Sequence, residues 1–85
     1  MGKGEIIKIL KEIGVLLELK GENAFKVRAY QSGARTLERL EENFEQIVEA
    51  GRLKELKGIG QSLVQKIEHL YREGRLPNYE DLKAS

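Results

Sequence analysis

The sequence predicts an all-α fold of four to five short helices in one domain, and three observations predict it. Apolar residues recur at intervals of three and four through most of the chain, the repeat of a helix with one buried face. No stretch alternates apolar and polar residues with period two over a useful length, so a strand pattern does not compete. Glycine, asparagine and proline stand between the periodic stretches, where helices start and stop. Eighty-five residues suffice for one modest core and not for two.

The first helix is expected from Ile6, Ile9, Leu10, Ile13, Leu16 and Leu17, with Ile7, Val15 and Leu19 widening its apolar stripe. Lys20-Gly21 closes it, glycine being free to take the left-handed conformation at a helix end. Asn23 is placed to cap a second helix running from about Ala24 to Leu40. In it Val27, Tyr30, Ala34 and Leu37 share the inward face, while Arg28, Ser32, Arg35 and Arg39 fall nearly opposite, toward solvent. That arginine stripe reads first as a solvated face and second as a contact for a nucleic-acid backbone.

Glu41 to Asn43 break the pattern, and Phe44, Ile47 and Val48 mark a short third helix stopped by Gly51. Leu53 and Leu56 anchor a brief helical piece before a glycine pair. The next helix runs from about Gln61 to Glu73, with Leu63, Val64, Ile67, Leu70 and Tyr71 inward, and Gly74 ends it. Leu76-Pro77 turns the chain, and Asn78 to Lys83 add one last helical turn.

Composition narrows the function classes. With no cysteine there is neither a disulfide framework nor a thiolate metal site, and apolar packing must supply stability. No apolar run approaches the ~20 residues of a membrane helix, and Met1-Gly2-Lys3-Gly4 lacks the apolar stretch of a signal peptide. A monomer in the cytoplasm, with no membrane partner, is the expectation. The net charge of +1 conceals a pattern. Residues 20–40 carry Lys20, Lys26, Arg28, Arg35 and Arg39 against Glu22 and Glu38, and residues 52–76 carry six cations against Glu55, Glu68 and Glu73. Between them Glu41, Glu42, Glu45 and Glu49 stand with no cation, a run most simply read as a solvated acidic surface. The one histidine, His69, has no second ligand at metal-binding spacing, and no phosphate loop, catalytic triad or carboxylate pair can be assembled.

The segment from Leu53 to Ile67 carries the chemistry. Two leucines three apart precede Lys57-Gly58-Ile59-Gly60, and a second amphipathic helix begins at once with Gln61 and Ser62. Glycines serve where the backbone needs unusual dihedrals and a close approach to another molecule. Their N–H groups, with those of the first helical turn, then form a small anion site. Ile59 fills the gap between the helices, and Lys54, Lys57 and Lys66 surround the turn with positive charge. The guest this suits is a phosphate oxygen, and binding of that kind reads no base edges. The structural alternative is a turn that merely joins two packed helices with the same glycines.

Leu56-Lys57-Gly58-Ile59-Gly60, followed by Val64 and Ile67, resembles the helix-hairpin-helix motif, here spanning about residues 53–73. The run from Leu19 to Tyr30 resembles the second-helix region of the amino-terminal domain of family X DNA polymerases, the bacterial and archaeal branch in particular. Gly33-Ala34-Arg35-Thr36-Leu37 and Glu73-Gly74-Arg75-Leu76-Pro77 continue the similarity over nearly the whole chain.

The resemblance implies a DNA-repair domain that grips gapped or nicked DNA at its 5′-phosphate. In polymerase beta-like members it also implies removal of a 5′-deoxyribose phosphate through a lysine Schiff base. The family's nucleophile falls on Lys66, and three phosphate-pocket positions fall on Lys26, Tyr30 and Lys54. Two more fall on Phe25 and Ser62, where polymerase beta has histidine and lysine; Lys57 and Ala24 stand where proline is usual or frequent. The family hairpin also holds a monovalent cation, Na⁺ or K⁺, on backbone carbonyls that here would be those of Lys54, Leu56 and Ile59; no other cofactor is implied. Polymerase chemistry needs further domains, so a fragment followed by polymerase domains is expected, with Ser85 falling at the cut.

Taken by itself, Lys66 lies at the edge of its helix's buried face, where an amine is partly desolvated and imine chemistry is favoured. A boundary lysine that only neutralises a phosphate fits the same position. Three functions therefore stand: backbone binding of DNA, deoxyribose-phosphate lyase action by Lys66, and protein docking without DNA.

Overall fold

In the computed structural model, which describes residues 1–84, five helices follow one another: α1 (Lys3–Leu19), α2 (Ala24–Arg39), α3 (Phe44–Glu49), α4 (Gln61–Glu73) and α5 (Pro77–Ala84). A single 3-10 turn, Leu53–Glu55, lies between α3 and α4, and the described residues contain no strand. The all-α expectation holds. Ser85, the expected cut, lies outside the described residues.

The helix starts follow from their caps. Asn23 Oδ1 accepts from the Phe25 amide at 2.7 Å and opens α2. Asn43 Oδ1 accepts from the Gln46 amide at 3.0 Å and opens α3, turning the apparent break at Glu41–Asn43 into a helix signal.

α1 and α2 form the largest helix pair, and α4 and α5 pack against α1. Ile6, Leu10, Ile13 and Leu17 of α1 meet Val27, Tyr30, Ala34 and Leu37 of α2, with Phe44, Ile47 and Val48 of α3 and Leu63, Ile67 and Leu70 of α4 completing the core. Burial of this kind stabilises by about 1.5–3 kcal/mol per large side chain. At Gly33 α2 comes so close to α4 that a Cβ there would collide with Leu63 Cδ2.

Three expectations are corrected. Val15 and Leu19 do not widen the buried stripe: they are 53% and 78% exposed. Val15 is two residues beyond buried Ile13, a step of about 200° that carries it to the far side of α1, and Leu19 follows one turn later. Ser32 does not face solvent with the arginines; it is half-buried beside the hairpin. The last helix has eight residues rather than one turn. Pro77 at its first position is already fixed at a helical φ, the Leu76 carbonyl accepts from Tyr79 and Glu80, and the half-buried Tyr79 and Leu82 pack on the core.

Candidate nucleic-acid interface

Leu53, with no exposed surface, roots the hairpin in the core, and Ile59 at its tip is buried between the flanking helical pieces. Gly58 takes φ +92°, a region open to glycine at little cost. It lies so close to α2 that a Cβ would run into Thr36 Oγ1 and stand 2.9 Å from Ser32 Oγ. Thr36 Oγ1 also donates to the Lys57 carbonyl at 2.8 Å, pinning the tip to α2.

Gly60 is arranged differently. Its φ and ψ, −79° and 169°, suit any residue, and nothing lies within 4 Å of where its Cβ would be. It caps α4 with no side-chain hydrogen bond, and Gly60, Gln61 and Ser62 are exposed. Among the described residues their amides donate to no protein acceptor. Three outward N–H groups at the positive end of a thirteen-residue helix make an open seat for an oxyanion.

A second feature adjoins the first turns of α4. A cavity of about 330 Å³ has an apolar floor of Ile13, Leu17 and Leu76 and a polar wall of Lys20, Glu22, Lys26, Tyr30, Lys66 and Tyr79. Lys66 is half-buried, and its Nζ donates to Ser62 Oγ at 3.4 Å, so one serine links cavity and hairpin. Lys26 Nζ lies 3.6 Å from Glu22 Oε1. The Tyr30 ring belongs to the core, and burial raises its phenol above the ordinary value. Its hydroxyl makes no hydrogen bond, yet among the described residues no fully buried side-chain oxygen lacks a partner. The Tyr30 oxygen is therefore reachable, and the residue lines the cavity. Tyr79 closes the wall from α5 by donating to Glu12 Oε2 at 2.5 Å. Burial first, then that bond, pushes the Tyr79 phenol up to about 12.

The residue pattern of a helix-hairpin-helix domain matches residues 1–76. The chain belongs to the helix-hairpin-helix domain family. It is also 34% identical over 83 residues to DNA polymerase/3′-5′ exonuclease PolX of Bacillus subtilis (strain 168); the match covers 98% of this chain and 14% of that protein's length. The resemblance to the amino-terminal domain of family X polymerases, drawn from the sequence alone, stands on these two findings. Membership in the helix-hairpin-helix family supports DNA binding in general. The pattern ends at Leu76, so α5, with its cavity-lining Tyr79 and Leu82, lies beyond it.

Of the residues singled out from the sequence, the domain brings Lys26, Tyr30 and Lys66 into one cavity. Lys57, Gly58, Ile59, Gly60, Gln61 and Ser62 form the hairpin beside it. Lys54 is not with the cavity lysines. It lines a separate hollow of about 470 Å³ with Ile59, Gln61, Val64, Gln65 and Glu68. Phe25 stays out of the cavity and is 77% exposed. Sequence reasoning passed over Thr36, Lys20, Glu22 and Tyr79. A hydroxyl pair at i and i+4, Ser32 and Thr36, was the available sign of a helix face that meets backbone. Nothing local marks Tyr79, whose partner is 67 residues away.

Proposed function

We propose that this domain binds DNA by its sugar-phosphate backbone, seating a phosphate on the hairpin amides and drawing the 5′-phosphate at a gap or nick toward the lysine-lined cavity. The observation that carries this reading is the open start of α4, whose exposed amides lack any internal cap beside a cavity with three lysines. The amides supply directed donors and the lysines supply charge, an arrangement that accepts any base sequence. The repair role and the link to following polymerase domains belong to the same reading; in the relative, the matched region is 14% of a polymerase.

The hairpin carbonyls suit a monovalent cation. That of Leu56 accepts only a long 3.4 Å bond from Ile59, and those of Lys54 and Ile59 accept none among the described residues. Three hard oxygen donors of this kind would hold Na⁺ or K⁺, whose charge would add to the pull on a phosphate.

The test is titration of gapped DNA, with and without a 5′-phosphate, at two salt concentrations. Affinity should fall steeply with salt, with a slope of a few phosphate contacts, and the 5′-phosphate should strengthen binding. Binding absent in both substrates, or indifferent to salt, sinks the proposal. A protein-docking module would leave the NMR shifts of Gly58 to Ser62 unmoved by DNA.

A second reading, deoxyribose-phosphate lyase action, is favoured by one observation: the half-buried Lys66 lines the same cavity as Lys26 and the reachable Tyr30 hydroxyl. In it the Lys66 Nζ adds to the sugar's aldehyde carbon and water leaves, giving an imine. Loss of the proton at C2 then expels the 3′-phosphate, and hydrolysis of the imine returns the amine. Borohydride trapping on an incised abasic duplex reports that imine directly.

A further inference from the structure

We propose that the outer face of α2 is a second phosphate track, so that a duplex seated on the hairpin is also gripped by Arg28, Arg35 and Arg39. This rests on the DNA-binding reading and extends it to a surface outside the hairpin and the cavity.

The first observation is how the arginines are paired. Arg52 is held by Glu55 at 3.2 Å and Glu42 at 3.8 Å, and Arg75 by Glu80 at 2.7 Å. Arg28, Arg35 and Arg39 make no ion pair among the described residues. Glu38, the one carboxylate within α2, is already neutralised by Lys11 of α1 at 2.7 Å. The positive field of this face is thus left uncancelled by its own helix. Arg28 lies instead over the ring of the exposed Phe25, its guanidinium carbon 5.8 Å from the centroid. Such a contact orients the planar fork without using its N–H donors.

The second observation is placement. At 100° per residue the three arginines fall within an arc of about 40°, and Ser32 borders that arc. Ser32 and Thr36 both abut Gly58, and Thr36 holds the Lys57 carbonyl. The arginine arc therefore runs directly past the hairpin tip, with exposed Lys57 at the junction. Arg28 to Arg39 spans about 16 Å along the helix axis, enough for several consecutive phosphates. Arginine forks suit phosphate oxygens bidentately, so the geometry points to a DNA backbone continuing from the hairpin along α2.

The test compares Arg28→Gln with Arg52→Gln, and the double variant Arg35→Gln/Arg39→Gln with Arg52→Gln/Arg75→Gln, each control removing the same charge from paired sites. Glutamine keeps helix propensity, and melting curves verify that each variant folds. On gapped, 5′-phosphorylated DNA the double variant should bind about three- to tenfold more weakly at low salt, and its salt slope should drop by roughly one per lost contact. Each control should change binding less than about twofold. The preference for a 5′-phosphate over a 5′-hydroxyl should persist in all of them, because the cavity supplies it. If the α2 variants fall no further than their controls, the track is a solvated stripe and the inference fails while the hairpin reading survives. If the parent chain binds no DNA, both fall. If polyglutamate displaces DNA at equal charge concentration, the face fits an acidic protein and the inference also fails.

Discussion

The hairpin tip and the lysine cavity sit on adjoining sides of the same two helices, α2 and α4, and present an anion with opposite kinds of partner. At the tip the donors are backbone amides, and the neighbouring side chains, Ser32, Thr36 and Ile59, only hold the backbone in place. In the cavity the donors are the side chains themselves, reaching in from the amino-terminal half of α2, from the turn before it and from α4, with α1 and α5 as walls. A backbone site tolerates change in most side chains and fails when its glycines are filled. A side-chain site fails one residue at a time. The two regions can therefore be broken separately.

The largest effect is expected in the cavity. Lys66→Ala should lower the borohydride-trapped adduct by about a hundredfold or more, because the cavity's other amines, Lys20 and Lys26, are exposed while Lys66 is half-buried. Gapped-DNA binding should fall only a few-fold, the hairpin amides being intact. An adduct that persists undiminished would remove Lys66 as the nucleophile and leave it a phosphate counter-charge.

The hairpin is broken by its two glycines, and they should break differently. Gly58→Ala puts a side chain at φ +92° against Thr36 and Ser32. Left-handed strain of about 1–2 kcal/mol and disturbance of the Thr36 bond, about 1 kcal/mol, together predict a loss of roughly 2–3 kcal/mol. The melting temperature should drop by roughly 10–20 °C. Gly60→Ala meets no atom within 4 Å, so its stability cost should stay below about 1 kcal/mol. Its methyl nevertheless stands where a phosphate must approach, and DNA affinity should drop about three- to tenfold. If Gly60→Ala binds DNA like the parent, the amides are not the seat.

That contrast also explains what was legible in the sequence. The hairpin lies within fifteen consecutive residues, so leucine spacing and the glycine pair expose it to inspection, and the structure places Gly58 and Gly60 on a turn into α4 as the spacing requires. The helices were legible for the same reason, since periodicity and caps are local. The cavity is legible only in part. Glu22, Lys26 and Tyr30 recur at intervals of four, but Lys66 and Tyr79 join them through tertiary packing. Lys54 shows the limit of reasoning by position: three residues from the hairpin, it opens onto the other side of α4. Val15 and Leu19 show another, because an apolar side chain on the outer side of a helix need not find a partner.

A smaller effect should separate the cavity wall from the hairpin. Tyr79→Phe removes the bond to Glu12 and should cost about 1 kcal/mol, with α5 loosened and the 5′-phosphate preference reduced, while the hairpin is unaffected. The pH dependence has a definite sign. The folded phenol titrates at about 12, above the ordinary value of 10.0, so the folded state holds its proton more firmly than the unfolded state. The stabilisation is complete below pH 10 and is lost as pH rises toward 12. Urea melts of parent and Tyr79→Phe should accordingly differ most below pH 10 and converge toward pH 12. A gap that stays constant over that range would assign the loss to packing alone.

The smallest effect concerns the carboxylate within the cavity. Glu22 faces Lys26 at 3.6 Å, with both side chains about half exposed, so the pair contributes only about 0.2–1 kcal/mol. A phosphate entering the cavity competes with Glu22 for Lys26. Glu22→Gln should then raise affinity for 5′-phosphorylated gapped DNA about two- to threefold and leave the 5′-hydroxyl form nearly unchanged. The hairpin has no such competitor, because its amides face no internal acceptor. An equal gain on both substrates would mean that Glu22 acts only through overall charge. A loss on the phosphorylated one would mean that it holds Lys26 in the position the phosphate needs, and the cavity would then be set by side-chain pairing as firmly as the tip is set by Thr36.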